Sequence, residues 1–194
     1  MIKVLPPEVA AKIAAGEVVD RPSSVVKELV DNSLDSGADR IVVEIEDGGR
    51  NLIRVTDNGC GMLREEVPLS VERHATSKIQ TEEDLDCIAT FGFRGEALAS
   101  IAAVTRFEII TRRPEDLEGT RLYMEGTCKP LVEPIGCPSG TSITASDIYF
   151  NTPARRKFLK STASELAQVA EVVVRAALPH NQVHFLLLHN GKSI

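Results

Sequence analysis

No stretch of this chain reads Gly-x-x-x-x-Gly-Lys-Ser/Thr, which excludes a P-loop as its way of holding phosphates. The four cysteines, at 60, 87, 128 and 137, form no Cys-x-x-Cys pair and have no partnering His pair. A zinc site of ordinary spacing is thereby excluded, and four free thiols in a reducing cytosol are expected. Positive charge is also scarce: 22 basic against 28 acidic residues give a formal charge of -6, so any contact with DNA has to be local. No run approaches the roughly 20 apolar residues that span a bilayer, and Met1 to Pro7 lacks the apolar core of a signal peptide. The expectation is a soluble, cytoplasmic protein without a membrane partner. Internal repeats, low-complexity tracts and long Gly/Ser linkers are missing too, so 194 residues at 43% hydrophobic read as one well-filled domain.

Four short polar motifs stand out against this background. The first lies on a helix. Arg21-Pro22 suits a first turn, Val25, Val26, Leu29, Val30 and Leu34 recur at helical spacing, and Gly37 ends the pattern. At about 100° per residue, Glu28, Asn32 and Asp35 project from the side opposite that stripe. Two β-rich runs follow, 41–45 and 52–56, separated by Asp47-Gly48-Gly49 as a hairpin signal. The second motif, Asp57-Asn58-Gly59-Cys60-Gly61, begins where the second run stops. Alone it reads as a turn, but residues tolerant of positive φ let the backbone bend just after the Asp57 carboxylate.

A short helix is expected from about 63 to 73, with His74 packed or capping. Ala75-Thr76-Ser77-Lys78 then offers hydroxyls beside a lysine, suited to phosphates or to a helix cap. The third motif, Phe91-Gly92-Phe93-Arg94-Gly95-Glu96, runs into a small-residue helix through Ala103, whose free N–H groups and dipole suit anions. The fourth is Gly140-Thr141. Strands are expected at 107–111, 121–125, 128–132, 140–145 and 183–188, and a long helix at 164–178. Strands outnumber the crossover helices of a doubly wound sheet. The fold class expected is therefore α+β: a mixed sheet covered by helices on one face.

The four motifs together supply what ATP hydrolysis needs. Glu28 is the candidate general base for water, and Asn32, one turn later, offers an uncharged oxygen to Mg²⁺ already bound by phosphates. Asp57 can accept a hydrogen bond from the exocyclic amine of adenine, and the Thr141 hydroxyl can reach the same base edge. Gly92 to Leu98, including Phe93, Arg94, Gly95, Glu96 and Ala97, form a lid whose amides close on the phosphates, with Thr76, Ser77 and Lys78 nearby.

The segments "IAAGEVVDRPSSVVKELVDNSLDSGA" (13–38), "VTDNGCGM" (55–62), "RHATSKI" (73–79), "FGFRGEALASIAAV" (91–104) and "NTPARRKFL" (151–159) make the chain resemble the N-terminal ATPase region of the MutL family of bacterial DNA mismatch repair proteins, within the GHKL superfamily. The resemblance runs almost end to end. It implies a Bergerat-type two-layer α/β sandwich with a mostly antiparallel sheet, and the roles already given to Glu28, Asn32 and Asp57. It places Thr76 to Lys78 and Arg94 to Leu98 around the phosphates, and Gly61 and Met62 among the nucleotide-contacting positions.

It also implies a homodimer driven together by ATP, slow hydrolysis that resets the clamp, and signalling from the mismatch recognition protein MutS to downstream repair factors at the nucleoid. Residues 1–194 would then be the first lobe. A second lobe carrying a γ-phosphate lysine and DNA-facing residues, and a C-terminal dimerisation domain, are expected after Ile194. The alternative is a nucleotide- or partner-binding module with negligible turnover by this fragment. Two departures are mild: Asp31 stands where Glu is usual, and "DIYF" replaces an Asp-Leu-Phe opening. Arg155, Arg156, Lys157 and Lys160 are a candidate local basic patch for DNA.

Overall fold

The computed structural model describes residues 3–76 and 95–194. Helix α1 (Pro7–Val18) and helix α2 (Pro22–Asp35) both begin with proline in the first turn, where its missing N–H costs no hydrogen bond. In α2 the stripe of Val25, Val26, Leu29 and Val30 is fully buried, each side chain stabilising the fold by roughly 1.5–3 kcal/mol. Strand β1 (Arg40–Glu46) and strand β2 (Leu52–Asp57) follow. The connection between them is a 3-10 turn at Asp47–Gly49, with Asp47 at φ 49°, rather than a two-residue hairpin loop.

After a short α3 (Glu66–Leu69) and α4 (Ala97–Val104) come β3 (Arg106–Arg112), β4 (Gly119–Glu125), β5 (Leu131–Ile135) and β6 (Gly140–Ser146). The chain closes with α5 (Pro153–Arg156), α6 (Thr162–Ala177), β7 (His184–His189) and β8 (Lys192–Ser193). The strands form one eight-stranded sheet in the order β5-β4-β3-β6-β2-β1-β7-β8. Every neighbouring pair is antiparallel except β1 with β7, the strand that follows α6.

Alternation along the strands separates two faces. Ile41, Val43, Ile45, Ile53, Val55, Phe107, Ile109, Leu122, Ile143 and Ala145 are buried, and they meet across the sheet in register, as in Val43 with Val55 and Val55 with Ile143. Helix α2 packs on β1 and β2, α4 on β3 and β4, and α6 on β7 and α2, while α1 lies on α4. The intervening positions carry an ion-pair ladder, Glu44 with Arg54 at 2.9 Å and Glu108 with Arg121 and Arg121 with Glu133 at 2.7 Å each. The result is the α+β two-layer sandwich expected from the sequence.

Two further local expectations are corrected, and one helix is added. The helix expected over 63–73 is confined to Glu66–Leu69, because Pro68 and the turns on either side leave no room for a longer ladder. The strand expected at 128–132 begins at Leu131, since Cys128 N–H donates to the Glu125 carbonyl (3.1 Å) in a turn. Helix α1 has no counterpart in the sequence reading. It is held at its end by the buried Tyr149, whose hydroxyl donates to the Val19 carbonyl at 2.7 Å. Burial pushes that phenol up to about 12, so it keeps its proton at physiological pH.

Candidate functional site

The second motif sits at the end of a central strand. Asp57 closes β2 between β1 and β6 and pairs with Thr141, the second residue of β6. Beyond Asp57, Gly61 takes φ 70° so close to the end of β3 that a Cβ there would overlap the Arg112 carbonyl. The Cys60 N–H donates to the Ser36 carbonyl just past α2 (3.1 Å). The turn is thus pinned between the end of α2 and the end of β3.

The Asp57 carboxylate is held from two sides. Ser33 donates its hydroxyl to Oδ2 at 2.8 Å, and the Gly59 N–H donates to Oδ1 at 2.9 Å. Ser33 is buried on α2 directly after Asn32, so the base-reading candidate and the metal-ligand candidate are tied to adjacent residues of one helix. The sequence reading missed Ser33. Its signal was a hydroxyl falling on the apolar stripe, in helical register with Val26, Leu29 and Val30.

Thr141 is held by a second residue the sequence reading missed. The Thr111 and Thr141 hydroxyls are 2.9 Å apart, both buried. Thr111 also accepts the Met62 N–H at 3.0 Å and donates to the Gly140 carbonyl at 3.1 Å. Asp57, Gly61, Met62 and Thr141 are therefore one connected cluster. The sequence signal for Thr111 was weak, a threonine closing a strand of β-formers, and only the β3–β6 register brings it to Thr141.

Glu28 and Asn32 lie one turn apart on α2, both half-buried, as the helical spacing predicts. Lys27 approaches Glu28 at 3.6 Å and bonds the buried Asp31 at 2.8 Å. Gly95, Glu96, Ala97 and Leu98 form the entrance to α4. His74 N–H donates to the Gly95 carbonyl at 2.9 Å, which joins the "RHAT" stretch, Thr76 included, to that entrance. His74 is exposed rather than packed, with its ring 3.7 Å from the Glu96 carboxylate. Ser77, Lys78, Gly92, Phe93 and Arg94 lie outside the described residues. Among the basic-patch residues, Arg156, Lys157 and Lys160 are exposed, but Arg155 is half-buried, with its guanidinium over the Tyr149 ring at 5.9 Å.

Two concavities are found among the described residues. One of about 290 Å³ adjoins the candidate site: Asp57, Gly140 and Thr141 line it together with Val42, Thr56 and Ser142, whose side chains by strand alternation lie on the sheet face opposite the Asp57 carboxylate. The other, about 310 Å³, lies between α1, α4 and the β4–β5 turn. Among the described residues no group of three or more His, Cys, Asp or Glu side chains is arranged to hold a metal ion. An ion carried chiefly by phosphates and water needs only a single protein oxygen, and the candidate for it, Asn32, stands half-buried on α2. No helix among the described residues is long and apolar enough to cross a membrane.

Burial raises the Asp57 carboxyl above the ordinary carboxylate range, and the Gly59 N–H, the Ser33 hydroxyl and the Thr141 backbone only partly offset it. A carboxyl raised by folding stabilises the protein fully at pH values below its unfolded pKa. That contribution is lost as pH rises through the folded value. Asp57→Asn removes this loss. The melting temperature of the variant minus that of the wild type should therefore become more positive between pH 4 and pH 7. A difference that stays level across thermal melts at those pH values would contradict the burial effect.

Comparison with known proteins agrees with this geometry. Residues 20–128 match the family described as histidine kinase-, DNA gyrase B- and HSP90-like ATPase. The DNA mismatch repair protein MutL of Syntrophotalea carbinolica is 54% identical over 193 residues, covering 100% of this chain and 31% of that protein. MutL of Geobacter sulfurreducens is 52% identical, covering 100% of this chain and 32% of its own length. The chain thus spans about a third of the curated relatives it matches. Among solved structures, the Aquifex aeolicus MutL ATPase domain complexed with ADP superposes with a TM-score of 0.72 at 34% identity, covering 91% of this chain and 62% of that one. With more than half its length matched to the family model and a site built on the end of a central strand, the chain belongs to the histidine kinase-, DNA gyrase B- and HSP90-like ATPase family.

Proposed function

We propose that this chain is the ATP-binding and slowly hydrolysing region of a MutL-type DNA mismatch repair protein. The observation that carries the reading is the Asp57 carboxylate, fixed by Ser33 and Gly59 beside Thr141 at the end of a central strand. Two oxygens with lone pairs at one edge suit the amine of adenine. The identity to MutL proteins along the whole chain supports the biological setting, and the ADP in the Aquifex structure supports the ligand class.

In this reading Glu28 accepts the proton of the attacking water as its oxygen bonds to the γ-phosphorus and the bond to the β-phosphate oxygen breaks, leaving ADP and phosphate. Asn32 holds Mg²⁺, which supplies charge neutralisation on the phosphate oxygens. Gly61 and Met62 approach the nucleotide from the turn after β2. Gly95 to Leu98, with the α4 dipole behind them, face the phosphates together with Thr76; in this reading Gly92, Phe93 and Arg94 share the lid role, and Ser77 and Lys78 share the binding of phosphates. ATP then draws two copies of the protein together. The resulting clamp couples MutS-dependent mismatch recognition to downstream strand removal in the bacterial cytoplasm. DNA contact is weak here and is carried mainly by regions of the longer relatives outside the aligned part.

Two measurements test this reading. Calorimetry with Mg²⁺ should show ADP and a non-hydrolysable ATP analogue binding to the chain, and binding of neither would overturn the nucleotide site. Light scattering should give a larger mass with the ATP analogue than with ADP or no nucleotide. One unchanging mass in all three states would remove ATP-gated dimerisation from these residues.

A further inference from the structure

The hydroxyl of Thr141 is bonded to that of Thr111, and the other partners of Thr111 bear on its polarity. A threonine hydroxyl holds one proton and two lone pairs. The oxygen of Thr111 has three neighbours within hydrogen-bond reach: the Met62 N–H at 3.0 Å, the Gly140 carbonyl at 3.1 Å and the Thr141 hydroxyl at 2.9 Å. The N–H can only donate and the carbonyl can only accept. The Thr111 proton is therefore committed to Gly140, and one lone pair to Met62. What is left for Thr141 is the second lone pair, so the one arrangement that satisfies all three contacts has Thr141 donating inward. Both threonines are buried, so any other assignment leaves a contact of the Thr111 oxygen unmade, at a cost that low local dielectric raises.

With its proton committed, Thr141 can offer a ligand only lone pairs. Asp57 is in the same position. Its two oxygens already accept from Ser33 and Gly59, and an ionised carboxylate has only acceptor capacity left. Two acceptors side by side match the two hydrogens of an exocyclic amine and meet a base carbonyl with lone pair against lone pair.

We propose that Thr111 is a specificity-determining positioning residue: by accepting the Thr141 proton it holds that hydroxyl as an acceptor and so enforces adenine over 6-oxopurines. The inference rests on the assignment of Asp57 and Thr141 to the base. It differs from that assignment in naming a residue that touches no ligand and acts only through the direction of a proton.

The test measures ADP and inosine diphosphate binding, with Mg²⁺, by calorimetry in the wild type, Thr111→Val and Thr111→Ser. Inosine diphosphate replaces the amine by a carbonyl and leaves the sugar and phosphates unchanged. The wild type and Thr111→Ser should share one strong preference for ADP. In Thr111→Val the Thr141 hydroxyl is free to turn and donate, so the preference should fall by about 10-fold, mainly through tighter inosine diphosphate binding. An unchanged ratio in a folded Thr111→Val protein would overturn the inference.

Thr141→Val reads the same polarity without touching Thr111. If Thr141 is an acceptor, the variant loses ADP affinity and gains inosine diphosphate affinity. Selective loss of inosine diphosphate instead would show that Thr141 donates, and would overturn the inference even if Thr111→Val does not fold. Failure of the wild type to bind ADP at all is a separate result, which overturns the adenine assignment and the inference with it.

Discussion

Replacing Gly140 by alanine is expected to lower the melting temperature by about 10 °C and to abolish nucleotide binding in whatever folded protein remains. Gly140 opens β6 at φ 108°, a conformation L side chains rarely adopt. A Cβ built there would overlap the Asp57 carbonyl oxygen and stand 2.8 Å from Asn58 Cα. Both obstacles are backbone, so no side chain can swing aside. The dihedral strain costs roughly 1–3 kcal/mol and the forced separation of β2 from β6 about as much again. The displaced strand carries Thr141, so the damage reaches the site that Asp57 shares. Differential scanning fluorimetry with and without ADP measures both effects. A variant melting within about 2 °C of the wild type, and still stabilised by ADP, would show that the strand ends yield more easily than the geometry allows.

Glu28→Ala is expected to slow ATP cleavage by about 10² to 10⁴-fold while leaving ATP bound. The side chain is half-buried on α2, one turn before Asn32 and five residues before Ser33, and neither Asp57 nor Thr141 depends on it for a hydrogen bond. Its removal therefore takes away a proton acceptor without disturbing base recognition. Because turnover by this family member is proposed to be slow, the decisive measurement is a single-turnover one. The protein is mixed with substoichiometric ATP and Mg²⁺, quenched over hours, and the bound nucleotide separated. Wild type should end as ADP and the variant as ATP. Equal conversion in the two would remove Glu28 from the base role, and loss of ATP binding in the variant would make it a structural residue instead.

Local order carried much of this molecule into its sequence. Pro22, the Val25-to-Val30 stripe and Gly37 marked α2 to within a residue or two, because a helix declares itself through contacts three and four residues apart. The strands β2 and β6 were legible through β-branched runs. Helix α1 was not. Its alanines and Gly16 give little amphipathic signal, and its stability comes from α4 and from Tyr149, far away in sequence. Neither the 3-10 turn after β1 nor the late start of β5 could be read, since single backbone turns decide them. The site divides in the same way. Glu28, Asn32 and Asp57 could be singled out as candidates, because their own side chains suggest a chemistry. Ser33 and Thr111 could not, because a buried hydroxyl has meaning only once its partner across the fold is known.

The one parallel pair in the sheet has a consequence for how the protein is made. β1 leaves the ribosome well before β7, yet among the described strands its outer edge is covered by β7 alone, with Ile41 paired to Phe185. About 140 residues separate them, which at about 5–20 residues per second leaves that edge open for roughly 7–28 s. During this interval Ile41, Val43 and Ile45 line a strand with unpaired amides and carbonyls, a template for another chain. Nascent chains stalled before residue 184 should therefore be the aggregation-prone species. The yield of soluble protein would then depend on how fast translation reaches β7 rather than on how stable the finished sheet is.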